Sequence, residues 1–362
     1  MRTLLLVVCL AAAICRAWPQ SALTVVQIEH SLVSANRHKV SDADMATWLS
    51  SIQLDEQLDN YALKRILGEV KLGPQSLDAL TLLAAESAIE ETPRSEWIAS
   101  SPPSLDDQHK MIEQISEYSQ NTLAHLPDFL ALRTTRTFAN SPVQQGRGHL
   151  KPVVRLHFMS ELHNQIAYRN GRESLADSTP EGESRPLESK ESFQSWGEFG
   201  PVLRTLLSDA VRGSLQWSHW EHGTGDHSNA VFSYAVPRAA SHYLVDYCCY
   251  QTSENSGWER FNQMPAYRGR IYFDPLSRSL SAITLSAEFG ADTQMIKSGL
   301  AVQYGSVDIG GRSYVCPTSS VVVSFVHSFA LQSLDGVGLE KHVNLVTFRD
   351  YHKFGTESRI LP

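Results

Sequence analysis

The 362-residue sequence has no run of lysine and arginine, few cysteines and, after its first residues, no long apolar stretch. Acidic residues outnumber basic ones by 39 to 31, and nucleic acids bind clustered positive charge, so we expect no nucleic-acid partner. The longest later apolar segment, residues 319–331, is interrupted by Ser324, His327 and Ser328. Because no such segment reaches the length of a membrane-spanning helix, we do not expect an integral membrane protein.

Common catalytic motifs are also missing. The chain contains neither the His-Glu-x-x-His motif of zinc proteases nor the Gly-x-Ser-x-Gly turn of serine hydrolases. Its glycine groups, Gly146 with Gly148 and Gly310 with Gly311, are too short to cradle phosphates, and no cofactor is expected. The sequence favours a protein that is not an enzyme. A Ser-His-Asp triad assembles in space, however, so a hydrolase stays an alternative.

The first 17 residues have a distinctive order. Arg2 precedes an apolar run from Thr3 to Cys15, and the small residue Ala17 follows. A short basic start, an apolar stretch too short to span a bilayer and small residues at a cleavage point are typical of a secretory signal peptide. We therefore expect residues 1–17 to be removed and the protein to be exported, to the periplasm or out of the cell.

Three cysteines follow the expected cleavage point, namely Cys248, Cys249 and Cys316. Adjacent strand residues point to opposite faces, so at most one of Cys248 and Cys249 can face Cys316 across a sheet. An exported protein can keep such a disulfide, and three thiols are the alternative. Because the three lack the spacing of a zinc site, no metal is expected there.

Helical spacing dominates residues 18–100. Ser41 with Asp44 forms a capping pattern, and the Gly73-Pro74 pair is typical of one helix ending and the next beginning. Apolar residues then recur three and four positions apart. These features predict an α-helical domain over 18–100, a bundle of roughly four helices.

In residues 101–362, the spacing of apolar residues changes from the helical pattern to alternation. A helix capped by Ser104 comes first, and alternating segments follow it, with an Asn170-Gly171 hairpin turn and one short helix at 201–211. Residues 172–192 are polar and predict a mobile loop. Short connections between alternating segments favour antiparallel pairing. The predicted fold is α+β: an N-terminal helical bundle, then an antiparallel β-rich curved sheet or half-barrel with a packed helix.

One local cluster offers candidate chemistry. On a strand, Trp217, His219 and Glu221 would share one face, while Trp220 and His222 would share the other. His219 and Glu221, joined by His227 from the next turn, would be candidate metal ligands or acid–base groups. The alternative is a set of ordinary polar residues near a strand end.

Several segments are distinctive as sequence, and together they reach across most of the chain: residues 41–58, 195–200, 230–237, 268–275, 303–311 and 351–362. They resemble a family of uncharacterised exported proteins from Gram-negative soil bacteria. The resemblance implies export and carries no activity with it.

A second resemblance concerns the strand-rich part. The turn Asp274-Pro-Leu-Ser277, the strand Ser281-Ala-Ile-Thr-Leu285 and the segment Val302-Gln-Tyr-Gly305 are similar to the LolA-like half-barrel of periplasmic lipoprotein carriers. Proteins of that fold hold acyl chains on a concave, apolar face. The resemblance implies a carrier fold and identifies no ligand residue in this sequence.

These observations lead to three functional expectations. The first is non-enzymatic binding of a hydrophobic or lipid-like ligand on a curved β-sheet. The second is a structural or protein-interaction module of the cell envelope, whose helical domain docks a partner protein. The third is a hydrolase whose site assembles only in space, with His219 and Glu221 as its titratable groups.

Overall fold

The fold was analysed in a computed structural model. It describes residues 22–118, 126–141, 143–145, 149–151, 155–176, 201–212, 214–223, 227–251, 258–290, 293–328, 331–332 and 338–354. Within this part, the protein is α+β, with six α-helices and a ten-stranded antiparallel sheet that does not close. The predicted signal peptide and most of the predicted mobile loop, residues 177–192, lie outside the described residues.

The helices begin and end where local signals place them. Ser41 accepts a hydrogen bond from the Asp44 amide, Ser104 accepts one from Asp107, and Pro74 occupies a first turn, which confirms these three predicted helix starts. The helices are α1 (Val25–Arg37), α2 (Asp42–Leu49), α3 (Asn60–Glu69), α4 (Pro74–Glu86), α5 (Leu105–Glu117) and α6 (Pro201–Arg212).

Fourteen strands lie in the described residues: β1 (Phe129–Ala139), β2 (Val143–Gln145), β3 (His149–Lys151), β4 (His157–Arg169), β5 (Arg172–Leu175), β6 (Gln216–His222), β7 (Ser228–Val236), β8 (Val245–Gln251), β9 (Trp258–Gln263), β10 (Tyr267–Asp274), β11 (Ser279–Glu288), β12 (Met295–Asp308), β13 (Ser313–His327) and β14 (Leu339–Lys353). Residues 172–175 thus form a strand, which corrects the start of the predicted loop. The Asn170-Gly171 turn pairs this strand with β4.

The strand order in the large sheet is β5-β4-β1-β14-β13-β12-β11-β10-β7-β6. Strand β14 therefore lies between β1 and β13, and Thr135 is paired with Val346. The remaining strands form two ribbons, β2-β3 and β8-β9.

One face of the sheet, here called the α6 face, packs against α5 and α6. Leu203, Leu206 and Leu207 of α6 and Met111 and Ile115 of α5 are buried there. They pack in one apolar cluster with side chains of the sheet, which include Phe129, Tyr168, Phe232, Ile271, Phe273, Leu285 and Val346. This cluster is the largest core of the described residues.

The opposite face, here called the α4 face, is approached by α4. Ala85 and Ile89 pack against Val323 of β13 and Val343 of β14. Helices α1 to α4 share a second apolar cluster, in which Ile28, Leu32, Ile66 and Leu80 are fully buried. The sheet therefore has helices on both faces. None of the helices in the described residues is long and apolar enough to cross a membrane.

Candidate functional site: a cleft between α4 and the sheet

Two ion pairs fix the end of α4 over the sheet. Glu86 lies 2.5 Å from the Lys341 ammonium on β14, and Glu90 lies 2.9 Å from that of Lys297 on β12. Between them, the Ile89 side chain lies against Gly299, where a Cβ atom would clash with it. The glycine thus permits a close approach, and the ion pairs set the position of the helix on the strands.

The other end of α4 is tied to α2. The Asp42 carboxylate accepts hydrogen bonds from the amides of Gln75 and Ser76, at 3.0 and 2.9 Å, and from the Ser76 hydroxyl. The hydrogen bonds from Ser76 lower the pKa of Asp42 below its usual value, and the bond from the Ser76 hydroxyl has the largest effect. A carboxylate at a helix N-terminus satisfies amides that the helix itself leaves without partners. Helices α2 and α4 are therefore held as a pair.

A cleft of about 440 Å³ lies between this helix pair and the strands. Its apolar wall on the strand side is formed by Phe138, Leu156, Phe158 and Leu345, and Leu82 contributes from α4. Phe158 is 53% exposed although it is aromatic. The volume falls in the range of small-molecule sites, which are mostly apolar with a few polar groups.

Two arginines line the same cleft. Arg136 on β1 lies 3.6 Å from Glu161, and its guanidinium lies 5.3 Å from the centre of the Phe138 ring. Arg155 is exposed just before β4. Asp78 is the one acidic residue among the side chains that line the cleft. The lining is thus mixed: the strand side has an apolar wall, polar side chains of α2 and α4 face it, and basic residues outnumber acidic ones by two to one.

The predicted cluster on β6 is also on the α4 face. A register shift between Trp217 and His219 marks a β-bulge, which the alternation rule did not anticipate. Trp217 therefore lies on the α6 face beside Trp220, with ring centres 4.9 Å apart. His219 and Glu221 share the opposite face as predicted, but the prediction that Trp217 joins them is wrong.

The His219 ring has both nitrogens occupied. Its Nε2 lies 2.7 Å from Glu221, its Nδ1 lies 2.8 Å from the Ser218 hydroxyl, and Trp97 stacks on the ring at 3.9 Å. His227 does not join them, because it pairs with Asp274 at 2.9 Å. In the described part of the chain, no three histidine, cysteine or acidic side chains are placed to hold a metal ion.

A partly buried group of charges, here called the Arg65 network, lies near this pair. Arg65 of α3 lies between two carboxylates, at 2.8 Å from Glu29 and 2.7 Å from Glu96. Burial raises the pKa of Asp59, and the charges of Glu221 and Glu96 raise it further. Arg65 thus links α3 to Glu29 of α1 and to Glu96, while Tyr61 of α3 stacks on His222 of β6 at 3.8 Å. His219 and Glu221 themselves are buried and bound to each other.

The sequence analysis did not predict the carboxylate–histidine pair of Asp209 and His242. Asp209 of α6 is buried and accepts hydrogen bonds from the His242 amide at 2.9 Å, the His242 Nδ1 at 2.7 Å and the Tyr267 hydroxyl at 2.8 Å. Burial alone would raise the pKa of Asp209, but these hydrogen bonds outweigh it and lower the pKa below its usual value. Sequence offers no signal for this site, since the partners lie on separate elements.

Of the three predicted cysteines, Cys316 has a described side chain. It is buried in the core of the α6 face, and burial raises the pKa of its thiol to about 12. The side chains of Cys248 and Cys249 lie outside the described residues. A disulfide between either of them and Cys316 therefore stays a prediction.

The aromatic residues of the predicted strands are mostly core. Phe232 and Tyr234 are buried under α6, and Tyr272 is buried on the opposite face. No sequence pattern predicted the cleft, because its residues come from α2, α4, β1, the start of β4 and β14.

We compared the chain with family models, with curated proteins and with solved structures, and none of them shows a significant match.

Proposed function

We propose that this protein binds a hydrophobic, lipid-like ligand against its sheet, without catalysing a reaction. The observation that carries the proposal is the cleft between α2, α4 and the strands, with its apolar wall of Phe138, Leu156, Phe158 and Leu345. Phe158 is 53% exposed, and Leu156 and Leu345 are partly exposed. An apolar ligand that covers their remaining accessible surface would be stabilised by about 25 cal/mol per Å² of apolar area removed from water.

The proposed ligand lies on the α4 face of the sheet. On the α6 face, side chains of α5 and α6 fill the space over the strands. The cleft on the α4 face is bounded by a helix pair on one side and by the sheet on the other. We further propose that the protein is exported with cleavage after residue 17, and that a helical bundle over 18–100 is followed by a LolA-like half-barrel.

The test uses the neutral fluorophore N-phenyl-1-naphthylamine, whose emission rises in an apolar site. Ala46→Trp places an indole into the cleft from α2, and Leu77→Trp, on the exposed side of α4, is the matched control. We expect the unmodified protein and Leu77→Trp to bind the fluorophore equally, and Ala46→Trp to bind at least ten-fold more weakly.

Either of two results would overturn the proposal: no emission change with the unmodified protein, or equal binding by Ala46→Trp. Circular dichroism of each variant shows whether the fold is kept. Native mass spectrometry of the protein purified from a bacterial periplasm then tests for a copurified apolar mass. Such a mass, found at one per chain and reduced in Ala46→Trp, would support the same site.

A further inference from the structure

Positive charge is concentrated at the cleft of a chain that is acidic overall. The sequence has 39 acidic and 31 basic residues, yet two arginines and one aspartate line the cleft. A neutral ligand gains less from two guanidinium groups than an anionic ligand does, because guanidinium binds carboxylate and phosphate oxygens through two parallel, charge-assisted hydrogen bonds.

The two guanidinium groups differ in their partners. Arg136 forms a long ion pair with Glu161, at 3.6 Å, and the same Glu161 lies 3.0 Å from His163. Arg155 is exposed and makes no ion pair with any residue that the structure describes. An anionic ligand in the cleft would therefore meet Arg155 directly and would compete with Glu161 for Arg136.

The apolar and charged parts of the lining are in contact. The Arg136 guanidinium lies over the Phe138 ring, and Arg155 is followed directly by Leu156, which also lines the cleft. A ligand whose anionic group meets the arginines would place a connected chain on Phe138, Leu156 and Leu345. A single-chain amphiphile has this arrangement of charge and hydrocarbon.

We propose that the ligand of this cleft is a single-chain anionic amphiphile, with a carboxylate head held by Arg136 and Arg155 and its chain against the strand wall. This inference rests on the proposed function and narrows its ligand class. The guanidinium groups select the anion, and the apolar wall supplies the remaining affinity.

The test compares dodecanoate with dodecanol, which share a chain and differ in charge. Both are titrated by displacement of N-phenyl-1-naphthylamine from the full chain at low salt. We expect dodecanoate to bind at least ten-fold more tightly than dodecanol. In the double variant Arg136→Gln with Arg155→Gln, dodecanoate should lose at least ten-fold in affinity while dodecanol is unchanged. Arg312→Gln, an exposed arginine outside the cleft, is the matched control.

The outcomes separate the two proposals. Equal binding of both probes, or an unchanged dodecanoate affinity in the double variant, would overturn the anionic head and leave the apolar site standing. Binding of neither probe would overturn both. Weakening of dodecanoate by Arg312→Gln to the same extent would show a general charge effect, and would also overturn the assignment of the head group.

Discussion

The α6 face and the α4 face of the sheet meet their helices through different contacts. On the α6 face, α5 and α6 bury leucine, methionine and isoleucine against the strands, and Asp209 is the buried carboxylate. On the α4 face, ion pairs of Lys341 and Lys297 position the helix, and Arg65 of α3 pairs with Glu29 of α1 and with Glu96.

This difference suggests that the α6 face mainly stabilises the fold, whereas the α4 face provides the proposed binding site. Apolar burial contributes free energy of folding in proportion to the area removed from water. A partly buried ion pair contributes little net stability, because desolvation offsets the attraction, yet it fixes geometry. Side chains fill the α6 face, whereas the ionic contacts of the α4 face hold α4 in place and leave a cleft beside it. The predictions below test this division.

The largest loss of stability should come from the α6 face. Leu207→Ala removes a fully buried side chain of α6, and we expect the free energy of unfolding to fall by about 3 kcal/mol. Urea denaturation measures the change. Leu276→Ala, at a position that is 75% exposed, is the control and should change stability by less than about 0.5 kcal/mol. Similar small changes in both variants would show that α6 does not pack as described.

The ionic network should come next. Arg65→Met leaves the carboxylates of Glu29 and Glu96 without their shared cation, and Glu96 is buried. We expect a loss of about 2 kcal/mol, since a partly exposed arginine is screened by water. Lys110→Met breaks an exposed pair with Asp107 and should be nearly neutral. If the two variants lose equal stability, the network does not hold α3 in place.

A smaller effect is expected at Asp209. Its pKa is lower in the folded protein, so its stabilisation is present above the unfolded value and is lost as pH falls through the folded value. Asp209→Asn weakens the bonds to His242 and Tyr267, and we expect a loss of about 1–2 kcal/mol at pH 7. The difference from the unmodified protein should shrink in acid. A constant difference from pH 7 to pH 3 would contradict the assignment.

The smallest change should be a gain in stability rather than a loss, and we expect it at Asp59. Burial raises the pKa of Asp59, so the stability linked to this group is present at low pH and is lost as pH rises through the raised value. Asp59→Asn keeps an oxygen that can accept from the Ala62 amide and removes a charge near Glu221 and Glu96. We expect stability at pH 7 to rise by less than about 1 kcal/mol. Thermal unfolding at pH 7 and pH 4 measures the change in stability. A loss of stability at pH 7 would contradict a destabilising repulsion between Asp59 and the carboxylates of Glu221 and Glu96.

Local features of the fold were predictable, because local chemistry determines them. Ser41 and Ser104 cap helices as their spacing predicts, and Pro74 starts one. Strand β13 shows the limit: Pro317 lies inside it, yet one strand runs from Ser313 to His327 and stays paired with β12.

The candidate site could not be predicted, because it is formed by residues distant in sequence. Leu82 and Phe138 come together only when α4 docks on the sheet, and Leu345 joins them from β14. The bulge that turns Trp217 away from His219 has no local signal such as glycine. The pairing of Asp209 with Tyr267 spans 58 residues and depends on how α6 packs.

The position of β14 has a consequence for the order of assembly. Strands β5, β4 and β1 touch the rest of the sheet only through β14, which is the last strand that the structure describes. The pairing of Thr135 with Val346 closes a loop of about 210 residues, and closing so long a loop is slow because few local contacts reward it first. The chain must therefore emerge from the ribosome, or cross a membrane if it is exported, before its two sheet halves can join. Until then the facing edges of β1 and β13 lack their partner strand, and a chaperone that shields such edges would protect the nascent protein from aggregation.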